Sequence, residues 1–481
     1  MIVGPRVTDS VEPQSNCRLF LVGNFLPCLP RPLHRVTGGP ALIRVDAICT
    51  NAIPALPMRP ASGFPPMCHS APKLLLALSL ILAGSVHAAD ISEKSTRMSF
   101  AIRPLAVDAN EGIAAGDVNR DGHMDLVAGR NWYSGVDWTA RPLRTIDDWN
   151  GYVQSNGDYL FDVNDDGWLD VIAGSFLPTE VHWYENPGAE GLRLGQQWTQ
   201  HLLVDTKNSA NEGQLFGDID GDGTPEWIVN SWKAETPTTI WRLERIEKMP
   251  KAAGSAATKN ASGKQSAKAK GKPAQYQMVP HILGDINGHG AAIGDLSGDG
   301  RTDVLVGHGW YEQPAENPWG QPWKFHDAWK LHSSLPMVVA DVDSDGDSDL
   351  IFGNGHDFGL QWWENTGVDS EGEFTWQEHL IDDSFSQSHC LAWVDLDGDQ
   401  RPELITGKRY FGHNGRDPGG MDMPCLYAYR VDPQTHEFQR LTIDEGHVGT
   451  GLQIVAQDLN NDGAVDLAVA GKSGTFVLLA Q

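Results

Sequence analysis

Cysteine is scarce and unevenly placed. Cys17, Cys28, Cys49 and Cys68 fall in the first 68 residues, leaving Cys390 and Cys425 for the rest of the 481-residue chain. Two thiols allow one disulfide and exclude a disulfide-built scaffold. Long apolar runs are missing as well: residues 74–83 give ten positions, about half of what a membrane-spanning helix needs. Basic residues are few, with 36 Lys and Arg against 63 Asp and Glu for a net charge of −27. That acidity argues against nucleic acid and anionic membrane surfaces as partners and in favour of bound cations. Neither an RGD-like partner code nor a serine nucleophile motif is present.

Residues 67–89 combine Lys73, the short apolar run and the small-residue site Val86-His87-Ala88. This is the pattern of a secretory signal peptide, so a secreted or periplasmic protein cleaved near Ala88 is expected. No Cys follows Ala88, and no lipid anchor is indicated. The Pro- and Arg-rich stretch 1–66 lacks periodicity and is expected to be a mis-assigned or disordered leader, with the true start at Met58 or Met67. Residues 1–89 hold seven basic and three acidic residues, which leaves 29 against 60, or −31, for the remainder.

From residue 90 onward the chain is a repeat. DVNRDGHMDL at 117 recurs as DVNDDGWLDV at 162, DIDGDGTPEW at 218, DLSGDGRTDV at 295, DVDSDGDSDL at 341, DLDGDQRPEL at 395 and DLNNDGAVDL at 458. Each copy lies between short β-rich runs, and an aromatic strand and a fourth strand follow. Seven units of four strands predict an all-β fold, a seven-bladed β-propeller spanning 90–481. The last unit stops after its third strand, whereas MSFAIRPLAVD at 98–108 supplies an unmatched fourth one. The N-terminal strand is therefore expected to close the ring and remove its free edges. Residues 248–274, rich in Lys, Ala, Gly and Ser, read as a flexible basic insertion.

In D-x-[DNS]-x-D-G-x-x-[DE], side-chain oxygens at positions 1, 3, 5 and 9 and a carbonyl at position 7 converge if the chain turns tightly. Such a hard oxygen set suits Ca²⁺, and Gly at position 6 permits the turn. The expected ligands, for up to seven structural ions, are Asp117, Asn119, Asp121 and Asp125; Asp162, Asn164, Asp166 and Asp170; Asp218, Asp220, Asp222 and Glu226; Asp295, Ser297, Asp299 and Asp303; Asp341, Asp343, Asp345 and Asp349; Asp395, Asp397, Asp399 and Glu403; and Asp458, Asn460, Asp462 and Asp466. EF-hand and dockerin loops share the start, but they need an acid at position 12, where the first copy has Ala128 in a strand. The fourth copy, with Ser297, and the sixth, with Gln400 in place of Gly, are expected to be the weakest.

These repeats resemble the FG-GAP or VCBS repeats of integrin α-subunit propellers and of many secreted bacterial proteins, over residues 97–481. The resemblance implies that each Asp loop joins a blade's innermost strand to its second and binds Ca²⁺. The segments GHGWYEQP, QSHCLAW and ITGKRYFGHNG are also similar to those of propellers related to the fungal aldos-2-ulose dehydratase. Some polysaccharide lyases have similar propellers. The cupin domains of the dehydratase have no counterpart in this sequence.

If all Asp loops share one face, the loops entering strand one and leaving strand two share the other. Entering loops hold Glu212, His289, His332, His389 and His447; leaving loops hold Arg130, Asn131, Asn230, His308, His356, Lys408, Arg409 and His413. Two functions fit such a mouth. In one, it binds carbohydrate or an extracellular protein. In the other, it eliminates from a sugar, with a base among His289, His389, His447 and His308, Lys408 or Arg409 stabilising the enolate-like charge, and Trp132, Trp232 or Trp310 as sugar platforms. His201, His281, His326 and His379 lie in fourth strands and are assigned no function.

Positions 1, 5 and 9 with Asp220, Asp343 and Asp397 place 24 acids in the seven loops. Seven divalent ions would bring −31 to −17, so EDTA is expected to lower the melting temperature. A melting curve unchanged by the chelator would remove the calcium reading.

Overall fold

The computed structural model describes residues 98–231, 236–246, 273–332 and 334–481. The expected leader and signal segment, Trp232 and residues 248–272 of the basic insertion lie outside them. Within the unit Ala89–Gln481, seven antiparallel sheets of four strands form the blades, together with one two-stranded hairpin.

Blade 1 comprises Ala114–Gly116, Asp125–Ala128, Asn131–Tyr133 and Ala140–Pro142. Blades 2 to 6 begin with Gly157–Phe161, Asn211–Gly217, Ala291–Gly294, Val338–Ala340 and Ser388–Val394 and keep the same order. Blade 7 contains Ile454–Gln457, Asp466–Gly471 and Gly474–Ala480, and Phe100–Ala106 pairs antiparallel with the last of these. The N-terminal strand thus closes the ring.

First strands of neighbouring blades touch one another, which places them innermost. Second strands such as Glu403–Lys408 and Asp466–Gly471 are buried at every position. Each is covered on both faces by adjacent blades, hence the near-continuous apolar sequence. The hydrophobic clusters lie between blades. Ile405, Leu426 and Ala428 of blade 6 meet Leu467, Val469 and Phe476 of blade 7, and Ala468 and Val477 of blade 7 meet Leu126 and Tyr133 of blade 1. Burying each large side chain contributes roughly 1.5–3 kcal/mol.

A Trp-x-Glu on the third strand is coupled to a His on the fourth. His201 stacks on Trp183 at 4.4 Å and bonds Glu185 at 2.9 Å. His326 stacks on Trp310 at 4.0 Å and bonds Glu312 at 2.8 Å, and His379 does the same with Trp362 and Glu364 at 4.4 and 2.7 Å. These histidines bind the outer strand to its neighbour. Cys390 and Cys425 are both free and buried. Among the described residues no helix is long and apolar enough to cross a membrane.

Removing residues 98–107 leaves the Gly474–Ala480 strand as an open edge next to a half-covered core. The truncated protein is expected to melt lower and to aggregate on size-exclusion chromatography. A monomer with the melting point of the intact chain would show that closure is dispensable.

Candidate functional site

Every Asp loop has the same backbone. Position 4 takes a positive φ in all seven copies (Arg120, Asp165, Gly221, Gly298, Ser344, Gly398 and Asn461), as does position 6. At position 6 of the sixth copy Gln400 adopts φ +69°, where the other six copies have Gly, at a cost of about 1–2 kcal/mol for a residue with a Cβ. Asp117 accepts the amides of Asp121 and Gly122 at 3.1 and 3.0 Å, and Asp458 those of Asp462 and Gly463 at 3.2 and 2.9 Å.

The acid at position 9 is the buried end of the loop. One of its oxygens accepts the amide of position 2 in every blade: Val118, Val163, Ile219, Leu296, Val342, Leu396 and Leu459, at 2.9–3.1 Å. In five blades the other oxygen accepts an amide at the end of the third strand or just beyond it, from Gly135, Asn186, Gln313, Asn365 or Ala480. In the sixth, Arg430 Nε takes that place on Glu403 at 3.0 Å. Burial pushes the carboxyls up, Asp125 and Asp349 to about 6 and Glu226 to about 7.

The loop residues fit a hard cation. Carboxylate oxygens of Asp218, Asp220 and Asp222 converge within 4.8 Å, and so do those of Asp341, Asp343 and Asp345. The two loops with irregular sequences carry protein cations of their own: Arg430 bonds Asp397 and Arg401 bonds Asp399 in the sixth, and Arg301 bonds Asp299 in the fourth.

First strands run from the opposite end of the blades towards these loops, and second strands return there. Six residues before position 1, the successive copies place Glu111, Asn156, Glu212, His289, Leu335, His389 and Leu452. Irregular pairing between Asn211 and Gly213 brackets Glu212, and between Ser388 and Leu391 it brackets His389. Such bulges re-aim a side chain, and here the two point at each other across the axis.

Arg409 is the hub. It binds Glu111 through Nε at 2.6 Å and Nη2 at 2.9 Å, and Glu212 through Nη1 at 2.6 Å. Lys472 Nζ reaches Glu111 at 2.5 Å. Blades 1, 3, 6 and 7 are thus joined by four charges whose side chains are buried and which sum to zero. Burial pushes Glu111 upward, but Arg409 and Lys472 outweigh it and hold the carboxyl at about 2. Burial and the neighbouring Arg409 depress Lys472 to about 8.

His289 Nε2 lies 3.5 Å from Glu212 Oε2 and 3.1 Å from His356 Nε2. His389 Nε2 lies 3.7 Å from Glu212 Oε1. His332 stacks on His289 at 5.0 Å and His413 on His356 at 4.6 Å. Asp417 receives His356 Nδ1 at 3.1 Å and His413 Nδ1 at 3.0 Å. Burial and then His289 bring His356 down to about 4, and burial and Arg409 hold His389 well below the usual imidazole range.

The other expected site residues have other surroundings. His447 is 78% exposed and contacts Asp444. Lys408 is buried with Nζ on Ser386 Oγ at 2.8 Å, so the Lys408–Arg409 pair does not act as one cation. His308 lies against Gly288, next to His289, and Asn131 begins a blade 1 strand. Asn230 lies in the second strand of blade 3. Trp132 and Trp310 are not sugar platforms, because both are buried between blades.

Glu111, Lys472, Asp417, Trp149 and Tyr152 were missed by sequence reasoning. Register would have found two of them. Glu111 and Glu212 each precede the first Asp by six residues within an Asn-Glu-Gly, and Arg409 and Lys472 each follow it by fourteen. Trp149 and Tyr152 stand on the hairpin Asp148–Trp149/Tyr152–Val153, anchored by Arg130 through Ile146 O and Asp148. With Glu111, Glu212, Arg409, His413 and Lys472 they line a cavity of about 280 Å³.

Residues 162–229 and 341–406 match the FG-GAP-like repeat family. Each span runs from the Asp loop of one blade through the second strand of the next. The chain is therefore a seven-bladed β-propeller carrying FG-GAP-like repeats. No curated protein matches its sequence significantly. Among solved structures it is similar to an Agrocybe aegerita lectin that recognises non-reducing terminal N-acetylglucosamine, at 16% identity and TM-score 0.39 over 69% of this chain and 79% of that one. It is also similar to BBS1N in complex with ARL6DN, at 12% identity and TM-score 0.42 over 80% and 96%. Saccharomyces cerevisiae Sqt1 matches at 9% identity and TM-score 0.39 over 80% and 99%. At these values the likenesses carry no functional argument.

Truncating Glu111 removes two of the three Arg409 bonds and the carboxylate partner of Lys472 in a buried site. Glu111→Ala is expected to cost about 3–5 kcal/mol in guanidinium unfolding, and Glu111→Gln with Lys472→Met distinctly less than the sum of the single changes. Additive costs would show that the network is not coupled.

Proposed function

We propose that the protein is a secreted or periplasmic, calcium-stabilised propeller that binds carbohydrate at its axial mouth. The carrying observation is the cavity of about 280 Å³ in which fixed acids and cations meet a partly exposed Trp149 and Tyr152. Carboxylates and a guanidinium held by one another suit directional hydrogen bonding to hydroxyls, and an aromatic face suits the apolar side of a sugar ring. The Asp loops support the calcium part, since in the third and fifth copies the carboxylate oxygens converge in a tight acidic turn.

Binding is favoured over elimination by the state of the cations. Arg409 already spends three bonds on Glu111 and Glu212, and Lys408 is bonded to Ser386. Neither is left to receive enolate charge.

A glycan array that includes uronate-containing glycans, followed by absorbance for unsaturated products, tests both readings. Retention of a glycan without product, weakened about tenfold or more by Trp149→Ala in a folded protein, is expected. Absence of any glycan binding overturns the proposal, and unsaturated product moves the mouth to the lyase class.

A further inference from the structure

The imidazoles at the axis are arranged around a point rather than packed as a stack. Glu212, His289, His356 and His389 each offer one ligand atom, and all four atoms lie within 4.8 Å of one another. Among them His356 Nε2 lies 3.1 Å from His289 Nε2, and His289 Nε2 lies 3.5 Å from Glu212 Oε2; His389 Nε2 lies 3.7 Å from the other Glu212 oxygen. A tetrahedral ion with bonds of 2.0–2.1 Å requires ligand–ligand edges of about 3.3 Å.

We infer that Glu212, His289, His356 and His389 form a site for one divalent transition-metal ion of the zinc class, distinct from the Asp loops and adjoining the mouth cavity through Glu212, an assignment that does not rest on carbohydrate binding there. Three imidazoles and one carboxylate are borderline donors, unsuited to Ca²⁺ and suited to Zn²⁺, Co²⁺ or Ni²⁺. Two further observations point to a ligand. His389 is completely buried, yet among the described residues neither of its ring nitrogens has a hydrogen-bond partner. Without an ion this leaves a buried polar ring unsatisfied, which is unfavourable. His356 presents Nδ1 to the Asp417 carboxylate at 3.1 Å, which places the proton there and the Nε2 lone pair towards the other three residues. A carboxylate behind a ligating imidazole is the usual way to fix its tautomer.

Glu212 divides its two oxygens between tasks. Oε1 accepts Arg409 at 2.6 Å, and Oε2 faces His289. The guanidinium charge is shared with Glu111, so the carboxylate that would meet the ion is not neutralised by Arg409 alone.

The test uses the full chain in excess Ca²⁺, so that the Asp loops do not compete. Metal analysis of purified protein is expected to give about one zinc-class ion per chain, and Co²⁺ added to stripped protein is expected to develop the visible ligand-field bands of a nitrogen-rich site. His389→Ala should abolish both. Asp417→Asn should weaken Co²⁺ affinity about 10–100-fold with the bands retained. If His389→Ala does not fold, His356→Gln, at the partly exposed edge of the cluster, takes its place. Folded wild-type protein that develops no bands with Co²⁺, or affinity unchanged in folded His389→Ala or His356→Gln, overturns the assignment.

Discussion

A buried carboxylate at the ninth position of each Asp loop holds the architecture together. It fixes the loop through the position 2 amide and, in five blades, fixes the end of the third strand through a second amide. Each such bond contributes on the order of 1 kcal/mol. The turn, the second strand and the third strand of a blade thus depend on one side chain. It also sets the side chains of positions 1, 3 and 5 together at the loop tip, where the carboxylates of Asp218, Asp220 and Asp222 and those of Asp341, Asp343 and Asp345 converge.

What this does at one end of the blades decides what is possible at the other. With the loops in the same register, the position six before the first Asp brings Glu111, Glu212, His289 and His389 together, and the position fourteen after it brings Arg409 and Lys472 to them. Buried there, the charged groups satisfy one another. Arg409 bridges Glu111 and Glu212, Lys472 joins from blade 7, and the histidines of blades 4, 5 and 6 fill the remaining side. The hairpin bearing Trp149 and Tyr152 borders the cavity that remains.

Much of the fold was legible because its signals are local or periodic. The Asp-Gly turn, the apolar second strand and the unmatched strand near residue 100 can be read without knowing what they touch. The site was legible only in part. Glu212, His289, His356, His389 and Arg409 were identified from their place in the entering and leaving loops, while Glu111 and Lys472 were overlooked although they occupy the same register positions. His447 was overvalued because loop membership says nothing about direction, and in the structure it turns outward to Asp444. Trp132 and Trp310 followed strand alternation into the interfaces between blades.

The sequence by itself determined seven blades, their strand order, the closing strand and the tight acidic turns, because each depends on residues close in the chain or on a repeated spacing. Tertiary structure alone decided which polar residues meet. The bulges at Glu212 and His389 change side-chain direction by one residue's pleat, and Arg409 and Lys408, adjacent in sequence, go to different partners. Contacts such as Glu111 to Arg409, 298 residues apart, exist only once the ring has closed.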